Sequence, residues 1–112
     1  MTTTAETASV VSKVSHPAIK MQLDTGAMAL NNESADSVAS YLPLVAHVHA
    51  SEPNLRALNG VDIDHHAIGQ ILRAKRPDLT VAVEMLTPAD SEPLPLIARA
   101  LDVAVSNYGG AP

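Results

Sequence analysis

Apolar and polar residues alternate along the chain with two periods, and the stretches between them are punctuated by Pro, Gly, Asn and Asp. Thr3 and Glu6 have the spacing of a capping box, with Val10, Val11 and Val14 following on one helical face. His16-Pro17 closes that helix, because a residue before proline avoids the αR region. Lys20 to Asp24 (KMQLD) reads as a strand, and Glu33 to Leu42 as a short helix stopped by Pro43. Leu44 to His49 (LVAHVH) is the second strand, and a polar loop with Pro53, Asn54, Asn59 and Gly60 follows. Asp62 or Asp64 can cap the next helix, whose Ile68, Ile71 and Leu72 recur at the i, i+3, i+4 spacing before Pro77. Thr80 to Met85 (TVAVEM) is the third strand. The last helix begins near Pro93 or Pro95, is expected to bury Ile97, Leu101, Val105 and Tyr108, and ends at Gly109-Gly110.

The order α-β-α-β-α-β-α implies parallel neighbouring strands joined by right-handed helical crossovers. The fold class is therefore α/β, as a small open sheet or a segment of a barrel. A length of 112 residues suits one domain, 1–112.

Each strand ends in a residue able to bind a metal: Asp24, His49 and Glu84. They are 25 and 35 residues apart, close to the roughly 31-residue average unit of a (β/α)8 barrel. That spacing puts them on adjacent strands at the C-terminal rim, where barrel active sites lie. Strand parity gives the same register three times. Gln22, His47 and Ala82 share the face of the three candidates, while Met21, Leu23, Ala46, Val48, Val81 and Val83 make an apolar opposite face for helices to cover. Two carboxylates and an imidazole suit a hard divalent ion, Mn2+, Mg2+ or Co2+, with Zn2+ tolerated. Such an ion can polarise a carbonyl and its adjacent hydroxyl while a neighbouring C–H loses its proton.

Composition removes several other classes. The formal charge is −5, with 7 Lys plus Arg, which argues against nucleic acid as a partner, because phosphate binding needs a basic face. No apolar run approaches the roughly 20 residues of a membrane helix. The opening residues MTTTAETASV lack the features of a secretion signal, and the absence of cysteine excludes disulfides and thiolate sites, so a cytoplasmic location is expected. With no Phe or Trp and 2 Tyr, the core must be built from aliphatic side chains.

The segments LDTGAM, HVHASEPNL and VAVEML, in this order and spacing, resemble the sugar phosphate isomerase/epimerase family, the xylose isomerase-like TIM barrels that include ketose 3-epimerases. The resemblance runs from about Thr4 to Tyr108. It implies that the chain is the C-terminal part of a TIM (β/α)8 barrel, about three strands and four helices. It also implies a metal held by Asp24, His49 and Glu84, and a proton-transfer role for Glu84. The family's fourth ligand, a Glu that also acts as the second base, would fall before Met1. A substrate-contacting His of the epimerases falls at Ala27, and an Arg at Leu55, with Arg56 adjacent. The implied activity is isomerisation or epimerisation of a small sugar, sugar phosphate or polyol by proton abstraction next to a carbonyl.

Three further residues are candidates for substrate contact: His47, which also reads as a packed neighbour of the site; Glu52, which also reads as a solvated loop acid; and Arg56, which also reads as a free surface arginine. His65-His66 reads as a solvated first helical turn rather than a metal pair, since adjacent helical residues diverge. His16 reads as a surface residue. The rivals in other classes are a non-catalytic half barrel that binds a sugar or a partner, and a zinc phosphodiesterase, against which the acidic charge argues. Three or four βα units leave the first and last strands as open edges. This implies a truncated frame, a split barrel completed by a missing N-terminal half, or a homo-oligomer.

Overall fold

The computed structural model describes residues 2–110. The first helix, α1 (Thr4–Val14), starts at the expected capping box: Glu6 N donates to Thr3 Oγ1, and Thr3 N donates to the Glu6 carboxylate. Those bonds hold the Glu6 carboxyl below its ordinary value. The helix ends at Ser15, which takes a left-handed cap conformation. Of its three valines only Val11 is buried.

Strand β1 (Met21–Asp24) leads without a loop into α2 (Thr25–Leu30), a short helix that the sequence pattern did not reveal. The helix expected over 33–42 is divided into a 3-10 turn, the single α-helical turn α3 (Val38–Tyr41) and a second 3-10 turn that contains Pro43 rather than stopping before it. Then come β2 (Val45–Ala50), α4 (His65–Lys75), β3 (Val81–Val83) and α5 (Pro93–Tyr108). Asp64 caps α4 by accepting from Ala67 N, and Asp62 instead pairs with Arg56.

The strands form one parallel sheet in the order β1-β2-β3. Asp24 stands opposite His49, and His49 opposite Ala82. One detail of the expected parity fails. Met21 pairs with Val45 and Gln22 with His47, so Ala46 has no partner on β1. It is the extra residue of a bulge, exposed, and Val45 is buried in its place. The bulge lies at the far end of the strand and restores the register before the two histidines.

One face of the sheet carries the core. Leu23, Val45 and Val48 pack with Val11, Val38, Leu42, Ile68 and Leu72, all nearly sealed from solvent. Burial of each such side chain contributes roughly 1.5–3 kcal/mol before the entropy of ordering. Arg76 ties the end of α4 beneath this core by donating to the Leu42 and Val45 carbonyls, while its pairing with Asp78 lowers that carboxyl's pKa.

The packing of α5 differs from expectation. Ala100 is its one buried residue, with Val103, Ala104 and Tyr108 beside it, whereas Ile97, Leu101 and Val105 are exposed. The apolar stripe is wider than one contact, and only its inner half meets β3 and α4. The outer half overhangs the unpaired edge of β3. Among the described residues no helix is long and apolar enough to cross a membrane.

Candidate metal centre

Asp24 is both the last residue of β1 and the N-cap of α2. Its Oδ1 accepts from Ala27 N at 2.8 Å and from Ser51 Oγ at 2.8 Å. No hydrogen bond among the described residues reaches its other oxygen. Level with it on β2, His49 directs Nδ1 toward Glu84 Oε2 at 2.9 Å and Gln22 Nε2 at 3.0 Å. An N–H at Nδ1 donates to Glu84, and a lone pair there accepts from Gln22, so the two bonds are alternatives set by the tautomer. Glu84 lies just past β3, but its N–H still donates to the Ala50 carbonyl at 3.0 Å, which extends the ladder by one residue. Glu84 and Ala82 are two residues apart on one strand and so share a face. That brings the Glu84 carboxylate over His49.

One donor atom from each of Asp24, His49 and Glu84 lies within 4.8 Å of the other two. An octahedral ion with bonds near 2.1 Å separates opposite donors by about 4.2 Å, so small side-chain rotations close this set around one ion. The oxygen, nitrogen, oxygen donors fit Mn2+, Mg2+, Co2+ or Zn2+. The three side chains are half-buried, open toward the uncovered face of the sheet.

The remaining candidates divide. His47 is beside the site, its ring edge-on to His49 with centroids 4.9 Å apart. Arg56 is exposed and bound to Asp62 at 2.8 Å, and it borders a surface pocket with Leu86 and Arg99 rather than the metal rim. Glu52 corrects its reading as a rim acid open to solvent or substrate. It is 1% exposed, and its Oε1 accepts from Asn59 N and Gly60 N and meets His65 Nε2. His65 corrects the reading of a solvated first turn: it too is 1% exposed, and its Nδ1 meets the Tyr108 hydroxyl. His66 and His16 are exposed as expected.

Burial, and secondarily the charge of Glu52, raises the Tyr108 phenol above its ordinary pKa. Tyr108 therefore keeps its proton, and its hydroxyl and the Glu52 carboxyl meet the two ring nitrogens of His65, Nδ1 and Nε2 respectively, with the donor at each contact set by the tautomer. This buried Glu52–His65–Tyr108 network joins the loop after β2, the start of α4 and the end of α5. The sequence carries a signal for it: the apolar spacing puts Tyr108 on the buried side of its helix, and a buried phenol requires a polar partner.

A pocket of about 180 Å3 adjoins Asp24, bordered by Ala27, Leu30, Ser51, Asn54 and Leu55. Asn54 and Leu55 both take positive φ values, 60° and 55°. Two successive non-glycine residues in that region store backbone strain of the kind found at functional loops.

No family model matches the sequence, and no curated protein matches it. The structure is similar to the crystal structure of a D-psicose 3-epimerase determined in the presence of D-fructose, with a TM-score of 0.76 and 21% sequence identity. The likeness covers 95% of this chain and 44% of that one. It shows the fold: three parallel strands with their helices, arranged as part of a TIM barrel. The chain spans under half the length of the solved enzyme.

Proposed function

We propose that this chain carries part of the active site of a divalent-metal isomerase or epimerase acting on a small sugar, sugar phosphate or polyol. The observation that carries the reading is the convergence of Asp24, His49 and Glu84 at the C-terminal end of three parallel strands. Asp24 and His49 would anchor the ion, and Glu84 would bind it through one carboxylate oxygen. When bound, the ion supplies polarisation of a substrate carbonyl and its neighbouring hydroxyl. The other oxygen of Glu84 would take a proton from the adjacent carbon and return it. His49, within 2.9 Å of Glu84, orients that carboxylate. His47 would line the substrate's approach. The name of the similar solved enzyme makes ketoses the first compounds to assay.

Titration calorimetry with Mn2+ tests the site. The wild-type chain binds the ion, and the Asp24→Ala/Glu84→Ala double variant loses affinity by at least about 100-fold, since even an outer-shell change costs about 10–100-fold. Equal affinity in the two proteins removes the metal reading.

A second reading concerns assembly. Strands β1 and β3 are edges, and the outer stripe of α5 exposes Leu94, Leu101 and Val105. These features favour a functional unit with further βα elements, from a second copy or a complementary half barrel. Light scattering on the purified 11.7 kDa chain is expected to show association. A stable folded monomer would leave only a self-sufficient open sheet.

A further inference from the structure

We propose that Ser51 is a positioning residue of this centre, whose hydroxyl, together with the Ala27 N–H, locks one oxygen of Asp24 and leaves the other to face the ion. The proposal rests on the metal reading above. Ser51 follows β2 immediately and is fully buried. Its Oγ donates to Asp24 Oδ1 at 2.8 Å and accepts from Gly26 N at 2.9 Å. Its backbone is clasped to the next residue of the same segment: Ser51 N donates to Thr25 Oγ1 at 2.9 Å, and Thr25 Oγ1 donates to the Ser51 carbonyl at 2.7 Å. Four hydrogen bonds thus join residue 51 to residues 24–26, and all lie beneath the rim.

The consequence is a division of labour within one carboxylate. Oδ1 is committed to two donors, Ser51 Oγ and Ala27 N, while the second oxygen is left for a ligand. Helix capping alone needs only the Ala27 bond. The additional donor, from the residue that follows β2, restricts rotation about the Asp24 carboxyl bond and fixes the level of β1 against β2, where His49 sits. Without it Oδ1 keeps only the Ala27 bond, the carboxylate can swing about that single contact, and the ordering lost must be supplied on binding.

Two variants separate positioning from packing. Ser51→Ala removes the hydroxyl, and Ser51→Cys keeps a near-isosteric side chain with a weak donor. Mn2+ affinity is read by calorimetry at a temperature where each variant is folded, and thermal unfolding is followed without metal. Both variants are expected to lose about 10–100-fold in affinity, with Ser51→Cys keeping near-wild-type unfolding. A merely structural serine would lower the unfolding temperature and leave the affinity of the folded protein unchanged. If both variants bind Mn2+ as the wild type does while Asp24→Ala does not, the positioning role is overturned and the metal centre stands. If the wild-type chain binds no Mn2+, both fall together.

Discussion

Replacing His65 by alanine lowers the stability of the chain by about 2–5 kcal/mol, a large part of the roughly 5–15 kcal/mol available to a domain of this size. The Glu52 carboxylate is sealed from solvent and has three partners on Oε1, of which only His65 is a side chain. Its Oε2 has no partner. Removing the imidazole leaves the buried Glu52 carboxyl held by two long backbone bonds, strips the Tyr108 hydroxyl of its partner and opens a cavity between α4 and α5. These costs arise in one place and from one substitution. Urea denaturation measures them, and a double-mutant cycle with Glu52→Gln isolates the coupling between the two side chains. A loss under about 1 kcal/mol would show that solvent reaches the pair and that the network is not buried in solution.

The network depends on contacts that local sequence patterns do not encode, whereas the sheet does not. The three strands, their parallel order and the common face of Asp24, His49 and Glu84 follow from period-two alternation over short segments with sharp punctuation. Those features are local and survive in the structure with boundary shifts of one or two residues. The burial of His65 has no local signature because it is decided by residues 13 and 43 positions away in sequence, Glu52 and Tyr108. A helical wheel assigns His65 to the first turn, where side chains are usually wet, and nothing within α4 opposes that. The exposed stripe of α5 failed for a related reason: periodicity locates an apolar face but does not say how much of it finds a partner. Helix α2 was hidden by its own cap. Asp24 ends a strand and starts a helix at once, so TGAMAL carries no turn signal between the two. The bulge at Ala46 has no signature in LVAHVH, because Val45 and Ala46 are both small apolar residues that tolerate either face.

Gly26→Ala is expected to weaken both the fold and the metal site, which no other glycine of the chain combines. A Cβ at residue 26 would lie 2.6 Å from the Glu52 carbonyl oxygen and 2.7 Å from Ser51 Oγ. The first is a backbone atom of a sealed loop, so α2 must lift away from β2. Overpacking of this kind costs about 1–3 kcal/mol, against which alanine's better helix propensity returns somewhat under about 1 kcal/mol. The net loss in stability is therefore modest, but the displacement falls on the Gly26 N–Ser51 Oγ bond and, through it, on Asp24. Mn2+ affinity is expected to fall by about 10-fold or more, measured by calorimetry beside Gly110→Ala, whose added methyl meets nothing within 4 Å and should be silent. Combining Gly26→Ala with Ser51→Ala relieves only the side-chain contact. The Glu52 carbonyl remains in the way, so the pair should be no more stable than Gly26→Ala alone. A Gly26→Ala protein with wild-type stability and wild-type Mn2+ affinity would mean that α2 is free to shift, and that the clasp beneath Asp24 does not set the geometry of the centre.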